Sequence, residues 1–177
     1  MGFNSDSSDM KTEILEPEKT VQAGRSPAVS LKKVLVPVDF SPASDQAFQQ
    51  ALRLAESFHL NLILLHVLEP PASLAFAGLA RTSSFSKTAA SDAETNVRAL
   101  LATVSNEERK NIRWKIRTGL AAHEIVEAAQ EEDVDLIVIG THGFSSGKHF
   151  CIGTTAERVA RAAPCSVLVV REKEYEF

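Results

Sequence analysis

The chain has 177 residues, which is long enough for one domain to bury a core. Its composition, 44% apolar and 24% charged, is ordinary for a globular protein. Its net charge of −4 gives no basic field, so nucleic acid and anionic membranes are not expected as partners. Two cysteines, no run of membrane-spanning length and no signal pattern together predict a cytoplasmic protein without a disulfide framework.

Composition divides the chain into three parts. Residues 1–30 are rich in Ser, Asp, Glu and Lys and lack apolar periodicity, which predicts a disordered arm, either a plain solvated tail or a regulatory segment. Residues 31–173 carry the periodic elements and form the predicted domain, and residues 174–177 are a short tail.

The first predicted strand is Lys33–Asp39, an apolar run typical of a strand covered on both faces. Pro37 cannot donate to a ladder, so we expect it near the strand end. Ser41 and Pro42 then predict a helix N-cap and first helical position. The expected apolar face of this helix consists of Ala43, Ala47, Phe48, Ala51, Leu54, Ala55 and Phe58.

The second predicted strand is Asn61–Leu68 and contains His66, which we interpret as a hydrogen-bonded structural group rather than a ligand. Residues 69–90 form a long connection. Connections of this length act as lids or contact surfaces, or are disordered.

A capping-box pattern at Ser91–Glu94 predicts the start of the next helix. Its apolar face would comprise Ala93, Val97, Leu100, Leu101 and Val104. The segment Ile112–Thr118 alternates apolar and charged residues, as an edge strand does, and its Trp114 is expected to pack in the core.

The remaining elements are predicted by the same patterns: a helix over 122–131, a strand over 134–140, a helix over 154–163 ended by Pro164, and a strand over 166–170. Alternating strands and helices predict an α/β fold, an open doubly wound five-stranded parallel sheet with helices on both faces. Because the third strand suits an edge, the expected strand order is 3-2-1-4-5. The crevice between strands one and four is then the expected ligand site.

The residues after the fourth strand suggest an anion site, because a glycine loop leading into a helix N-terminus presents amides to a phosphate. Known phosphate motifs fail: no Rossmann glycine fingerprint follows strand one, and Gly143 to Gly147 encloses one residue too few for a Walker A loop. A response-regulator interpretation also fails, since Thr118 and Gly119 stand where an acidic residue would be needed.

One spacing does match a known signature. Gly140, two residues, Gly143, nine residues and then Gly153-Thr154 correspond to the ATP-binding pattern of universal stress proteins. The surroundings are similar as well, with Val-Pro-Val-Asp-Phe-Ser at 36–41, Leu-His-Val at 65–67 and Ala-Pro-Cys-Ser-Val-Leu-Val-Val at 163–170. The chain therefore resembles the universal stress protein family over about residues 31–172.

The resemblance implies an adenine nucleotide alpha hydrolase-like fold and a set of nucleotide contacts. Asp39 would bind the ribose or adenine side and Val67 would meet adenine through its backbone, whereas Gly153, Thr154 and Thr155 would hold phosphates. The remaining implied contacts, lining the pocket or running along ribose and phosphates, are Pro37, Val38, Gly140, His142 and Gly143. The implied ligand is ATP, ADP or AMP, with or without magnesium.

Each piece also has a purely structural interpretation. Thr154 and Glu157 have capping-box spacing, and Gly140 and Gly143 could form a tight turn. His142, His149 and Cys151 lack a fourth metal ligand, so no metal site is predicted.

No catalytic residues are predicted, because no nucleophile–base–acid set and no carboxylate pair for magnesium stands out. The leading hypothesis is a nucleotide-binding sensor or switch of the stress response, with at most slow ATP hydrolysis. The alternative is a dimeric interaction module with a vestigial pocket. The resemblance implies a homodimer through the apolar last strand, Val167–Val170.

Overall fold

The structure is a computed structural model and describes residues 31–70, 84–141 and 152–171. The predicted N-terminal arm, the C-terminal tail and most of the connection after Leu68 lie outside these residues. The strands are β1 (Lys33–Pro37), β2 (Asn61–Leu68), β3 (Ile112–Thr118), β4 (Leu136–Gly140) and β5 (Ser166–Val170). The helices are α1 (Pro42–Phe58), α2 (Ser84–Ala102), α3 (Asn106–Arg109), α4 (Ala121–Glu131) and α5 (Thr154–Ala162).

The five strands form one parallel sheet in the order β3-β2-β1-β4-β5, which confirms the predicted fold and strand order. β1 pairs with β2 from Lys33 opposite Asn61 to Pro37 opposite Leu65. Pro37 is the last residue of β1, as expected from its missing donor. β1 and β4 are neighbours, so their carboxyl ends lie side by side.

Alternate residues of the central strands enter two separate cores. On one face, Val34, Val36 and Val38 of the β1 segment pack with residues of α1 and α2. On the other, Leu35 packs with residues of α4 and α5, including Ile125. This arrangement explains why β1, β2 and β4 are largely apolar along their length.

Helix α1 begins as predicted, with Ser41 at the N-cap accepting the Ser44 N–H and Pro42 in the first turn. Four of its predicted core residues are buried: Ala43, Ala47, Phe48 and Ala51. The assignment of Phe58 to that face is wrong, because Phe58 is 61% exposed in the last turn of the helix.

Helix α2 begins at Ser84, so the prediction of its start at Ser91 is wrong. Ser91 lies inside the helix, where its main-chain oxygen accepts the Thr95 hydroxyl at 2.9 Å. A real capping box lies at the start of the short helix α3, between Ser105 and Glu108. A capping-box sequence alone does not distinguish a helix start from a helix interior, because tertiary packing decides.

Strand β3 is an edge strand, as expected, and pairs only with β2 among the described strands. Trp114 packs against the first core, and the Arg98 guanidinium lies 5.9 Å from the centre of its ring. The charged face forms ion pairs with α4 and the residue after it: Arg113 and Lys115 with Glu132, and Arg117 with Glu124 and Glu131. Paired charges on an edge strand oppose pairing with another chain.

None of the helices within the described ranges has the length and apolarity needed to cross a bilayer.

Candidate functional site

The candidate site lies at the carboxyl ends of β1 and β4. Two backbone hydrogen bonds of Thr141 connect the end of β5 and the start of α5 to this edge of the sheet. The Thr141 N–H donates to the Val170 oxygen at 2.9 Å, and the Gly153 N–H donates to the Thr141 oxygen at 2.7 Å. Thr141 is buried, and its two hydrogen bonds connect the end of β5 and the start of α5 to the end of β4.

The turn after β1 presents Asp39. The Val38 N–H donates to the Leu65 oxygen at 2.9 Å, which continues the pairing with β2 one residue past the end of β1. The Asp39 side chain then accepts the Ser41 N–H at 3.0 Å and the Ser41 hydroxyl at 2.5 Å. Asp39 is exposed but held, because buried Ser41 also caps α1.

A second carboxylate, Asp45, lies in the first turn of α1. Partial burial, and to a smaller extent the negative charge of Asp39, raise the pKa of Asp45 above its usual value. Two carboxylates thus lie close together at the start of α1, and carboxylates favour ligand groups that donate hydrogen bonds.

The opposite side of the crevice is the N-terminus of α5. Gly153 is the N-cap residue and Thr154 is the first helical residue. Because glycine has no side chain, Gly153 supplies no side-chain cap. The capping-box interpretation of Thr154 and Glu157 is wrong: the Glu157 carboxylate accepts the Arg161 guanidinium at 2.9 Å one turn further on. A helix start without a side-chain cap, with exposed Thr154 and half-buried Thr155, suits an anion.

Gly140 lies where β4 meets the start of α1. A β-carbon added to Gly140 would lie 2.7 Å from the main-chain oxygen of Ala43 and 3.1 Å from the Ser44 nitrogen. Because those atoms are backbone, no side chain can turn aside to make room. The glycine thus lets α1 pack closely against the end of β4, which is a structural role independent of any ligand.

The turn around Asp39 is contacted by His66 and contains a strained residue, Phe40. The His66 Nδ1 lies 2.8 Å from the Val38 oxygen, which confirms that this histidine is hydrogen-bonded. Its ring centroid lies 4.7 Å from that of Phe40, and Phe40 has a left-handed backbone with φ 63°. Sequence reasoning missed Phe40. The Asp-x-Ser spacing around it is a turn signal, but the left-handed conformation of a phenylalanine has none.

The structure thus gathers most of the predicted contacts at one edge of the sheet. Pro37, Val38 and Asp39 end the β1 segment, Gly140 ends β4, and Gly153–Thr155 begin α5. Val67 lies half-buried near the end of β2, next to β1.

The predicted contacts His142 and Gly143 lie outside the described residues, as do His149 and Cys151. Within the described part of the chain, no group of three histidine, cysteine, aspartate or glutamate side chains is placed to hold a metal ion.

The fold is that of an open, doubly wound α/β protein whose switch point lies between β1 and β4, where proteins of this class bind ligands. Comparison with known proteins then gives the family. A profile of the universal stress protein family matches residues 30–171, so the chain belongs to the universal stress protein family.

Individual relatives agree with this assignment. A universal stress protein of Methanocaldococcus jannaschii is 31% identical over 147 residues, covering 82% of this chain and 85% of the relative. The solved universal stress protein UspA of Lactobacillus plantarum is 31% identical with a TM-score of 0.62, over 80% of this chain and 98% of that one. A universal stress protein solved in complex with cAMP is 26% identical with a TM-score of 0.53, over 80% and 97% of the two chains.

Proposed function

We propose that this chain binds an adenine nucleotide in the crevice between β1 and β4 and acts as a nucleotide-dependent sensor or switch of the stress response. The observation that carries the proposal is the polarity of the crevice. Exposed Asp39 ends one strand segment, and the start of α5, which has no side-chain cap, is hydrogen-bonded to the residue after the neighbouring strand.

This polarity sets the orientation of the ligand. A carboxylate accepts hydrogen bonds from ribose hydroxyls, so the nucleoside lies toward Asp39. Phosphates carry negative charge and lie away from Asp39, at the amides and hydroxyls of Gly153, Thr154 and Thr155. Pro37 and Val38 line the crevice.

Further contacts complete the proposed site. Val67 meets adenine through its backbone. His142 and Gly143 run along ribose and phosphates by the family resemblance alone. Gly140 acts mainly by holding α1 close.

The ligand class is supported by the relative that binds cAMP, since cAMP is an adenine nucleotide with a phosphate and a ribose. The proposed ligands of this chain are ATP, ADP or AMP, with or without magnesium. We expect hydrolysis to be at most slow, and we propose that the nucleotide acts by selecting a conformation or a partner.

Thermal unfolding with and without nucleotide tests the proposal. A ligand at 100 times its dissociation constant stabilises the folded protein by about 2.7 kcal/mol, so saturating ATP with magnesium, or AMP, is expected to raise the unfolding midpoint. The Asp39→Ala variant is expected to lose most of this shift. Asp92→Ala, at an exposed position of α2, is the matched control and keeps it.

Two outcomes would contradict the proposal. If no nucleotide raises the midpoint of the wild-type protein, the alternative is favoured, namely an interaction module with a vestigial pocket. If Asp39→Ala and Asp92→Ala keep the full shift alike, the ligand lies elsewhere.

We further propose a homodimer through β5. This strand is an edge of the sheet, and its Leu168 is 37% exposed, whereas the other edge, β3, carries paired charges. An apolar edge invites antiparallel pairing with a second copy across a two-fold axis. Sedimentation should show a dimer that weakens in Leu168→Lys, and a monomeric wild-type protein would contradict it.

A further inference from the structure

We propose that His66 is a positioning residue of the nucleotide site, which holds the turn from Val38 to Ser41 and thereby fixes the Asp39 carboxylate. This inference rests on the proposed nucleotide function. Its first support is the link between β2 and the turn. The His66 Nδ1 lies 2.8 Å from the Val38 oxygen, across 28 residues of sequence.

The partner atom fixes the state of the ring. A carbonyl oxygen only accepts hydrogen bonds, so Nδ1 must carry the hydrogen and donate. In the neutral imidazole, Nε2 is then the unprotonated nitrogen. Val38 is held by β2 through both of its main-chain groups, because its N–H also donates to the Leu65 oxygen at 2.9 Å.

The second contact of the imidazole lies on the other side of Asp39. The ring centroid of Phe40 is 4.7 Å from that of His66, and the two planes are tilted by 36°. Phe40 has φ 63°, a left-handed conformation that is unfavourable for a bulky residue and persists only where surrounding contacts hold it. His66 provides one of these contacts, and the first core provides others.

His66 thus touches the residues immediately before and after Asp39. The Asp39 carboxylate is itself bound by the N–H and hydroxyl of Ser41, the N-cap of α1. A shift of the turn therefore moves the carboxylate relative to the start of α5, where the phosphates are proposed to bind. His66 acts on the ligand through this turn.

Two substitutions separate the two contacts. His66→Phe keeps an aromatic ring beside Phe40 but removes the donor to Val38. His66→Asn keeps an amide donor near the Nδ1 position and removes the ring. Losing one such contact is expected to weaken AMP binding about fivefold. His123→Ala, at an exposed position of α4, is the control and leaves AMP binding unchanged.

A double-mutant cycle with Asp39→Ala distinguishes positioning from a general structural role. If His66 acts by placing the Asp39 carboxylate, His66→Phe weakens AMP binding in the wild-type background but has little further effect once the carboxylate is gone. An equal loss in both backgrounds would overturn the proposal. The unfolding midpoint without nucleotide, measured for each variant, shows that the proteins compared are folded.

A measurement without nucleotide tests the geometry separately. Nitrogen-15 NMR of the imidazole in the free protein is expected to show the Nδ1–H tautomer for His66 at a pH where the ring is neutral. A dominant Nε2–H tautomer would overturn the positioning role whatever the binding data show. Absence of nucleotide binding by the wild-type protein would overturn the proposed function instead, and the tautomer then decides whether His66 holds the turn.

Discussion

The two ends of the β1–β4 pair differ in how their polar groups are used. At the amino end, the Asp135 carboxylate accepts the main-chain N–H groups of Lys32 and Lys33 at 2.7 and 2.9 Å. At the carboxyl end, Asp39 is exposed and accepts hydrogen bonds only from Ser41, within its own turn, among the described contacts. The α5 helix starts there without a side-chain cap.

Asp135 and Asp39 are both aspartates, but they are expected to have different roles. The hydrogen bonds of Asp135 join β1 to β4, so this carboxylate stabilises the fold. Asp39 is held by Ser41 but still faces solvent, so it is the carboxylate proposed to contact a ligand. We therefore expect a substitution of Asp135 to lower stability and leave nucleotide binding unchanged. A substitution of Asp39 is expected to weaken nucleotide binding.

Gly140 is an exception, because it lies at the carboxyl end but is expected to affect stability. Its substitution has the largest expected effect on stability. The close contact of Gly140 with the Ala43 backbone is structural. Gly140→Ala is expected to lower the free energy of unfolding by about 2–3 kcal/mol, near the top of the usual range for overpacking, because backbone atoms must move. Denaturant unfolding measures this.

Gly119→Ala is the matched control for this substitution. A β-carbon there would meet the end of the flexible Glu124 side chain, which can turn away. The expected loss is about 1 kcal/mol or less, the weakening of one partly buried ion pair with Arg117. Equal losses in the two variants would show that the contact of Gly140 with α1 is easily relieved.

Asp135→Asn tests the amino end. The N–H groups of Lys33 and Lys32 hold the pKa of the Asp135 carboxyl below its usual value. The expected loss at neutral pH is about 1–2 kcal/mol, at the lower end for charged hydrogen bonds because the site is half-exposed. AMP affinity is expected to stay unchanged.

The pH dependence has a definite sign. Because the pKa is lowered on folding, the stabilisation is fully present above the unfolded-state pKa, about 3.9 for aspartate, and is lost as the pH falls through the folded-state pKa. The difference between wild type and Asp135→Asn should therefore be constant between about pH 5 and 8 and shrink below about pH 4. A difference that grows on acidification would contradict this role.

The sheet and its order could be predicted from the sequence because burial leaves a direct pattern. β1, β2 and β4 have covered faces on both sides and are largely apolar runs, whereas β3 alternates because one of its faces is charged. The position of Asp39 and of the start of α5 at the same edge of the sheet followed from topology, since they come after the carboxyl ends of the neighbouring strands β1 and β4.

Other features depend on contacts between distant residues and left no local pattern. The start of α2 was misplaced because Ser91–Glu94 has capping-box spacing inside a helix. The bond between His66 and the Val38 oxygen, and the left-handed Phe40, exist only once β2 lies beside β1. The sequence therefore predicts Asp39 as a ligand contact, but it does not show which residues contact the turn that presents Asp39.

Glu157→Gln has the smallest expected effect on stability. It tests whether the start of α5, at the carboxyl end, is free of a side-chain cap. The Glu157–Arg161 pair lies on the exposed surface of α5 at helical spacing, and such pairs are worth about 0.3–0.5 kcal/mol. The substitution should cost no more than this, and Arg161→Gln should cost the same. AMP affinity should change less than about twofold, since Glu157 does not occupy the amides of the first turn. If Glu157 instead capped the helix start in solution, its loss would cost about 1 kcal/mol, and Arg161→Gln would not reproduce it.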